Sequence, residues 1–323
     1  MIVAMVCAFL VSLILLLLLL KTRLYGIALD QPNHRSLHNH SIPRTGGLAV
    51  VSGVLAAWLL AGNFWLLVIP TVILMFVSII DDIRGLSVRW RLLSQLIVSA
   101  GVSMAVLPEY AWWVHVLVVL GITWMMNLYN FMDGSNGLAG GMALFGFGAY
   151  AVPAVMGHDF QMAALSASVV ASSVAFLLFN FHPARIFMGD GGSVPLGFLA
   201  GAIGLLGWQR ELWPAWFPVL VFSPFIVDAS VTLFKRLLRR EKVWQAHRSH
   251  YYQRLIQMGW SHRKTAIAEY FLMIAAGATA IYVAKQPISI ALLVFVAWLI
   301  IYFTIMRIID RAWTRKSCDA EFG

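Results

Sequence analysis

Four short polar segments, each at the end of a long apolar run, carry the side chains that could do chemistry in this sequence. They are the pair Asp81 and Asp82, the run 127–137 (NLYNFMDGSNG), the run 180–193 (NFHPARIFMGDGGS) and the basic stretch 235–264. A carboxylate at the boundary of a bilayer is costly unless it is paired, solvated or bound to a cation. Several carboxylates among Gly, Asn and Arg residues therefore suggest a site for magnesium and phosphate at a membrane surface.

The adjacent acids Asp81 and Asp82 end an apolar run and are followed by Arg84, Arg89 and Arg91. A helix C-terminus carries a partial negative charge, so two acids there are unfavourable. A bound Mg²⁺ or a nearby arginine would relieve the repulsion, and arginines such as Arg89 could pair with phosphate oxygens. The alternative is a surface cap in which the acids simply pair with the arginines.

The second segment places Asn127, Asn130 and Asp133 three residues apart, so one helical face could carry all three side chains. Its glycines would let the backbone approach a ligand, and the next helix would present an N-terminus, which attracts anions. The alternative is a glycine-rich turn between closely packed helices.

The third segment sets Asp190 between glycines, just before an apolar run. A carboxylate there could hold a cation while backbone N–H groups hold phosphate. Arg185 could pair with a phosphate, and Phe187 could stack on a base. An ordinary acid at a helix N-terminus, beside a glycine turn, is the competing interpretation.

Two further polar stretches are basic and contain histidine. In the fourth segment, His247, Arg248 and His250 could bind a pyrophosphate electrostatically, or could belong to a solvated loop. For the stretch 30–47, contact with phosphate or lipid headgroups is favoured over a metal site. The histidines of that stretch are His34, His38 and His40.

The elements that must position these segments are membrane helices. The chain is 61% hydrophobic and only 11% charged, whereas soluble proteins are about 25% charged. Apolar runs of about 17–25 residues recur, and each is long enough to cross a bilayer as a helix. The sequence therefore predicts an all-α, polytopic membrane protein with a single transmembrane domain, 1–323. Eleven spans are expected, at 2–20, 46–62, 64–80, 92–107, 111–127, 138–156, 161–179, 194–208, 213–234, 265–284 and 287–306.

The basic residues predict the orientation of these spans. Of the 23 Lys and Arg residues, only Arg210 and Lys285 fall on one side, and cytoplasmic loops carry the excess of positive charge. The N-terminus is therefore expected outside, with the C-terminus and all four polar segments inside. The basic face favours anionic lipid and anionic substrates. Nucleic acid is not an expected partner, because no basic soluble domain is present to bind it.

One acid, Asp228, lies within the predicted ninth span, 213–234. It could mark a break in that helix, line the site, or be a paired structural acid. A transporter, the non-enzyme alternative, would be expected to place polar groups at mid-membrane, and Asp228 is the candidate for such a group.

Two other membrane enzyme classes match the acids less well. An integral-membrane prenyltransferase would show two DDxxD-like motifs, but Asp82 is followed by Ile83, Arg84 and Gly85, and no partner motif occurs. A CDP-alcohol phosphotransferase would need a spaced motif of four acids, which the sequence lacks.

The motifs follow one another in a set order along nearly the whole chain: DQPNHRSLH, PRTGG, DDIRGL, NLYNFMDGSNGLAGG, NFHPARIFMGDGGSVPLG, and HRSH before GW. Together they resemble the polyprenyl-phosphate N-acetylhexosamine-1-phosphate transferases of glycosyltransferase family 4. That family includes the phospho-MurNAc-pentapeptide translocase and the transferases that initiate enterobacterial common antigen and O-antigen.

The resemblance implies a reaction. Undecaprenyl phosphate attacks the β-phosphate of a UDP-N-acetyl sugar, UMP leaves, and a polyprenyl-diphospho-sugar remains in the inner membrane of a bacterium. Mg²⁺ is the implied cofactor, with Mn²⁺ as an alternative, and a homodimer is one candidate assembly. Direct attack is favoured over an aspartyl intermediate, because a lipid phosphate is already ionised near neutral pH.

The resemblance also assigns roles to matching residues. Asp190 is expected to bind the metal, and Asp81 and Asp82 to lie on the side of the lipid phosphate. Asp133 completes the implied catalytic set and lines the site with Asn130.

The remaining matches concern substrate binding. Asn136 and Phe187 match positions that contact uracil, and Asn180 is expected nearby. The other residues predicted to bind substrate are Arg89, Arg185, His247, Arg248 and His250.

The sequence departs from the family in two places. Where relatives carry histidines in the ninth loop, this chain has Tyr252, Gln253 and Arg254, although His250 matches the first histidine of the common-antigen type. Asn136 stands where the peptidoglycan enzyme has Asp. Both departures disfavour a MurNAc-pentapeptide substrate. They favour the O-antigen group, with an N-acetylated 6-deoxyhexose such as FucNAc or QuiNAc, or GlcNAc, as the sugar.

Overall fold

The structure is a computed structural model that describes residues 1–22, 29–30, 42–62, 64–242, 245 and 247–322, without the side chains of 29–30 and 317–322. His34, His38 and His40 lie outside the described residues. The described chain contains a short antiparallel ribbon, β1 (Leu29–Asp30) and β2 (Ile42–Pro43). Its helices are α1 (Ile2–Lys21), α2 (Gly46–Ala61), α3 (Trp65–Arg84), α4 (Val88–Val106), α5 (Trp112–Met132), α6 (Leu138–Met156), α7 (Phe160–Asn180), α8 (Asp190–Gln209), α9 (Phe217–Val221), α10 (Ser223–Leu238), α11 (Tyr251–Gln257), α12 (His262–Val283) and α13 (Ile288–Phe322).

Eight helices in the described chain are long and apolar enough to cross a membrane. A helix satisfies its backbone N–H and C=O groups internally, which the interior of a bilayer requires. The prediction of an all-α, polytopic membrane protein is therefore confirmed. The eight are α1, α3, α5, α6, α7, α8, α12 and α13.

The count of eleven spans and their orientation stay predictions. α2 is apolar but has only 16 residues. α4 has 19 residues, but its first half carries Arg89, Arg91 and Gln95. α10 is short and ends in a basic turn that includes Lys235 and Arg236.

The predicted ninth span, 213–234, is in fact two helices. α9 ends at Val221 and α10 begins at Ser223, so the break lies at Phe222. Pro224 follows in the first turn of α10, where its missing N–H would have no helical partner in any case. Asp228 lies inside α10 and does not mark the break.

Several helices extend further into polar sequence than the apolar runs predict. α3 includes Asp81 and Asp82 in its last turns, and Asp133 is the residue that caps α5. α8 begins at Asp190 instead of residue 194, and α13 continues well past residue 306. The acids at these helix ends therefore lie on or directly beside helical backbone, which fixes the direction in which each side chain leaves it.

α8 is the central helix of the bundle and is nearly enclosed by its neighbours. Small residues allow this, because they let helix backbones approach closely. A methyl group added at Gly197 would lie 2.6 Å from the Cα of Met126 on α5, and one at Gly192 would lie 2.4 Å from the Cα of Gly47 on α2. These contacts hold the N-terminal half of α8, which begins with Asp190, at a defined depth.

We expect Gly197→Ala to destabilise the bundle, because the new methyl group would meet backbone atoms of α5. Overpacking of this kind costs about 1–3 kcal/mol. Gly101→Ala is the matched control, since a Cβ at Gly101 meets nothing within 4 Å; alanine there should add up to about 1 kcal/mol of helix stability. Thermal unfolding in detergent micelles compares the two, and equal melting temperatures would contradict the close packing of α8 on α5.

Candidate active site

Carboxylates from three helix ends meet at the N-terminus of α8. The backbone N–H of Gly189 donates to Asp133 Oδ2 at 3.2 Å, and that of Gly191 donates to Asp82 Oδ2 at 3.4 Å. Asp190, the first residue of α8, lies between these two glycines. The last turns of α3 and the C-terminus of α5 are therefore both hydrogen-bonded to the start of α8.

Asp81 completes this acidic centre, which comprises Asp81, Asp82, Asp133 and Asp190. Its Oδ1 accepts from the N–H of Leu86 and its Oδ2 accepts from Arg91 Nη1, both at 2.7 Å. Arg91 Nη1 also lies 3.8 Å from Asp190 Oδ2. The acid–arginine pairing considered from the sequence is thus present at Asp81, whose two oxygens are both engaged. Asp82 instead faces α8.

The acidic centre holds more negative charge than its surroundings neutralise. Burial raises the pKa of the Asp133 carboxyl well above its usual range, and the charge of Asp190 raises this pKa further. The charge of Arg44 and the N–H of Gly189 oppose the shift without cancelling it, and Asp82 adds a further like charge. A bound cation would therefore stabilise the ionised form of the centre.

The backbone before α8 can approach this centre because it contains glycine. Gly189 has φ of 72°, in the left-handed region, and a Cβ there would lie 2.3 Å from the carbonyl oxygen of Arg44. The N–H of Gly47 donates to the carbonyl of Met188 at 2.8 Å. The segment before α2 is thus held against the segment before α8, which explains how Arg44 comes close to the acids.

The acidic centre fits a magnesium ion that is bound together with phosphate. In the described part of the chain, no group of three or more His, Cys, Asp or Glu side chains is arranged to hold a metal by itself. Mg²⁺ commonly takes one or two carboxylates and fills its other positions with substrate phosphate and water. The Asp190 side chain, 27% exposed, is open to such an ion, and Asp82, which accepts from the N–H of Gly191, is a further carboxylate at the same helix end.

Asn127 and Asn130 line the same narrow pocket, as their spacing predicts. Asn130 Nδ2 donates to Ser193 Oγ on α8 at 3.1 Å, and the side chain also hydrogen-bonds Asp190. Asn127 Nδ2 donates to Gln95 Oε1 on α4 at 2.7 Å. The pocket is lined by both polar and apolar side chains, which suits a charged group on an apolar chain. Its other lining residues are Leu74, Val77, Ser78, Asp81, Arg91, Ser94, Asp190 and Val194.

Asn180 joins two of the polar segments. Its Oδ1 accepts from the N–H of Gly137 at 2.8 Å, and its Nδ2 donates to the carbonyl of Ile186 at 2.9 Å. The side chain is buried. Both of its polar groups are therefore engaged, and Asn180 holds the loops in place in this structure.

Asn136 belongs to a second polar group that the sequence analysis did not anticipate. Its Nδ2 lies 3.0 Å from His182 Nδ1, and Ser135 Oγ lies 2.9 Å from His262 Nδ1. The two imidazole rings stack with centroids 5.7 Å apart. The only sequence signal for this arrangement was that His182 follows Asn180 closely; nothing local linked it to His262.

The remaining predicted residues of the loops lie at the surface or beside it. Arg185 is exposed, with its guanidinium 5.5 Å from the ring centroid of Phe179. Arg89 is exposed in the first turn of α4, and Phe187 is half-buried. Among the described contacts, neither arginine touches the acidic centre.

Asp228 proves to be a paired structural acid, one of the three roles considered for it. Its Oδ1 accepts from the N–H of Tyr251 at 2.9 Å, and its Oδ2 accepts from the N–H of Tyr252 at 3.0 Å. His250 Nδ1 lies 3.3 Å from Oδ1. Asp228 therefore anchors the start of α11 to α10.

The basic arm, residues 247–257, lies beside the acidic centre. Tyr252 donates its hydroxyl to the carbonyl of Phe131 at 3.2 Å, just before Asp133. His250 is buried and engaged with Asp228, whereas Arg248 is exposed.

His247 does not supply a cation at neutral pH. Burial, together with the charges of His250 and Arg236, lowers the pKa of its imidazole to about 4. Of the three residues expected to bind pyrophosphate electrostatically, Arg248 is therefore the one that presents a permanent and exposed charge.

Comparisons with known proteins place this chain in a family. Residues 64–207 match the family model described as glycosyl transferase family 4, a segment that contains the whole acidic centre. The chain is 32% identical to the "Probable undecaprenyl-phosphate N-acetylglucosaminyl 1-phosphate transferase" of Bacillus subtilis, over 93% of this chain and 90% of that protein.

Two further relatives carry related names. A "Phospho-N-acetylmuramoyl-pentapeptide-transferase" of Halalkalibacterium halodurans is 28% identical, over 74% of this chain and 82% of its own. A "Decaprenyl-phosphate N-acetylglucosaminephosphotransferase" of Mycobacterium leprae is 29% identical, over 78% and 75%.

We expect His247→Gln to flatten the pH dependence of stability on the acid side. The pKa of His247 is about 4 in the folded protein and 6.5 for an ordinary histidine. The folded state thus takes up this proton later than the unfolded state, so the contribution of His247 is complete above pH 6.5 and is lost as pH falls from 6.5 to about 4. Thermal unfolding of both proteins across that range measures the difference. Parallel curves for wild type and variant would show that His247 titrates normally.

Proposed function

Because this chain belongs to glycosyl transferase family 4, we propose that it transfers an N-acetylhexosamine 1-phosphate from a UDP-sugar to undecaprenyl phosphate and releases UMP. The chain is a multi-pass bacterial membrane protein, and its relatives are named as sugar-phosphate transferases, two of them for polyprenyl phosphates. The observation that carries the proposal is the acidic centre at the start of α8. It offers what phosphoryl transfer needs most, a fixed position for phosphate and a divalent cation.

In the proposed reaction, an oxygen of the lipid phosphate attacks the β-phosphorus of the UDP-sugar. The bond from that phosphorus to the bridging oxygen breaks, and UMP leaves with the bridging oxygen. One phosphoanhydride replaces another, so the net free-energy change is small. A phosphate monoester has a second pKa of about 6, so the nucleophile needs positioning more than it needs a base.

Each acid has a separate part in this proposal. Asp190 and Asp82 would hold Mg²⁺, which when bound neutralises charge on the reacting phosphates. Asp81 holds Arg91 in the pocket, where its guanidinium can pair with the lipid phosphate. Asp133, whose pKa is raised, keeps its hydrogen bond with Gly189 and so fixes the start of α8.

The nucleotide would lie on the loop side of the acidic centre. We assign the uracil to the surroundings of Asn136 and Phe187, with His182 as a further polar neighbour. Arg248 is the exposed cation of the arm and would contact the diphosphate or the sugar. These side chains lie at the helix ends that carry the basic residues, which supports a site that faces the cytoplasm.

UDP-GlcNAc is the first donor to test, because two of the relatives described above are named for N-acetylglucosamine. This chain departs from the family in the loop after the predicted ninth span, so UDP-FucNAc and UDP-QuiNAc are tested as well. UDP-GalNAc is a further donor to test. A role in initiating O-antigen synthesis is part of the same proposal and depends on which donor is used.

The transporter alternative loses its main support. Asp228 was the acid that could have served a substrate path at mid-membrane, but both of its oxygens are engaged by the first turn of α11. Membrane vesicles supplied with undecaprenyl phosphate, Mg²⁺ and radiolabelled UDP-sugars separate the two ideas. Release of UMP with a labelled lipid product is the expected result. Uptake of label without any lipid product would overturn the transferase.

We expect Asp190→Asn to lower the rate of UMP release by at least about 100-fold, because the metal and phosphate would lose their main anchor. The variant should insert normally, since Asn can keep a hydrogen bond with Asn130. The same assay measures the rate, together with the Mg²⁺ concentration at half-maximal activity. Wild-type turnover and wild-type Mg²⁺ dependence in this variant would refute the assignment of Asp190.

Asp81 and Asp82 should differ when each is changed to Asn. Asp82→Asn is expected to lower kcat by about 100-fold and leave stability nearly unchanged, because this acid faces the start of α8. Asp81→Asn should lower the free energy of unfolding by about 1–3 kcal/mol, because it breaks the pair with Arg91. Turnover and thermal unfolding are measured on both. The reverse pattern would exchange their roles.

A further inference from the structure

The basic arm, residues 247–257, is fastened to the acidic centre on one side. Tyr252 hydrogen-bonds the carbonyl of Phe131, and the ring of His250 stacks over the Phe131 ring with centroids 6.2 Å apart. Gly134 makes room for this contact, since a Cβ there would lie 2.2 Å from the hydroxyl of Tyr252. The position of the arm is therefore coupled to the loop that ends α5.

On its other side the arm contacts α13, where the carboxylate of Asp310 makes the ion pairs and Lys316 Nζ donates to the carbonyl of Gln257 at 2.9 Å. Asp310 Oδ2 lies 2.6 Å from Lys235 Nζ of α10, and Asp310 Oδ1 lies 2.9 Å from Arg254 Nη1 of α11. The hydroxyl of Tyr251 also donates to Asp310, at 3.3 Å. The side chain of Asp310 thus joins one group of α10 and two groups of α11, the helix of the arm.

Arg254 connects Asp310 to the first residues of the arm, which include Ser249. Its guanidinium lies 5.0 Å from the ring centroid of Tyr251 and 5.9 Å from that of Trp313. Its Nε donates to the carbonyl of Ser249 at 2.9 Å, and Ser249 Oγ lies 2.8 Å from His247 Nδ1. Arg248 is enclosed between these two residues in sequence. The backbone that carries the exposed side chain of Arg248 is thus held in part by the contact of Arg254 with Ser249, and Arg254 is in turn paired with Asp310.

The strength of this link follows from the burial of Arg254, whose side chain is only 8% exposed. A guanidinium at such a place has little water to replace a lost carboxylate. Without Asp310, Arg254 would have to turn toward solvent, and its bond to the carbonyl of Ser249 would break.

We propose that Asp310 is a positioning residue that sets the affinity for the sugar nucleotide by holding the basic arm against the acidic centre. Asp310 does not touch the reacting atoms, and its effect is transmitted through Arg254 and the backbone of Ser249. The inference rests on the proposed transferase function. It adds that the last helix, which lies outside the segment matched by the family model, supports the binding of the nucleotide donor.

Asp310→Asn in the full-length protein tests this. The KM for the UDP-sugar should rise about tenfold, the effect of one weakened charge-assisted hydrogen bond, while the KM for undecaprenyl phosphate stays at the wild-type value. Asp310→Glu should recover part of the loss. Hydrogen–deuterium exchange should show faster exchange of the amides at 249–257, with the start of α8 unchanged.

The matched control is Asp159→Asn, which weakens another carboxylate–arginine pair, Asp159 with Arg210 at 2.9 Å, away from the arm. It should leave both KM values unchanged. If Asp310→Asn does not accumulate, Arg254→Lys is measured in the same way, because lysine cannot bond Asp310 and Ser249 together.

The outcomes separate this inference from the proposed function. An unchanged KM for the UDP-sugar in Asp310→Asn, or an equal rise in both KM values, would overturn the positioning role. If the wild-type protein turns over no UDP-sugar, the proposed function itself fails, whereas the amide exchange of the arm still reports whether Asp310 holds it.

Discussion

The structure depends on an imbalance of charge where α3, α5 and α8 meet. Four carboxylates lie at this place, and all four are partly buried. The described positive groups neutralise this negative charge only in part. Arg91 pairs with Asp81, Arg44 lies near the acids, and two backbone N–H groups at the start of α8 each donate to one acid. Such an arrangement is costly in a folded protein unless a cation joins it. The close backbone approaches at Gly47 and Gly189 serve to bring these groups together.

Helix direction explains why the acids differ. Asp81 and Asp82 lie at the C-terminal end of α3, where the helix dipole opposes negative charge, whereas Asp190 begins α8, where the dipole favours it. The negative charge of Asp81 is stabilised there by Arg91 and by the N–H of Leu86. Among the described contacts, Asp82 has the weaker support of the Gly191 N–H and the nearby charge of Arg44, so it gains most from a metal ion. The chemistry of the site thus follows from the ends at which the three helices meet.

Much of this could be predicted from the sequence. Apolar run lengths gave the membrane class and the helices, and the polar segments at the ends of those runs gave the acids that the structure brings together. A break in the predicted ninth span was considered at Asp228, but its position at Phe222 was not predicted, because the residues around Phe222 are as apolar as a continuous span. The sequence also did not predict that Asp81 and Asp82 have different surroundings, because the difference depends on the turn that brings the N–H of Leu86 back to Asp81.

Long-range partners account for the other gaps. Asn180 reads as a substrate ligand from its motif, yet the structure uses it to join Gly137 and Ile186. Asp310 carries no local signal, since its partner Arg254 lies 56 residues away in a different helix. The sequence shows which groups can do chemistry, whereas the fold decides which of them remain available for a ligand.

The central claim is that these helix ends form one site in which a divalent ion touches the phosphate of the substrate. Electron–nuclear double resonance on the protein loaded with Mn²⁺ and a UDP-sugar tests it most directly, because coupling between the electron spin and phosphorus requires direct contact. The account predicts a strong phosphorus coupling in the wild type that disappears when Asp82 and Asp190 are both replaced by Asn. Mn²⁺ bound without phosphorus coupling, or the same coupling in the double variant, would contradict it.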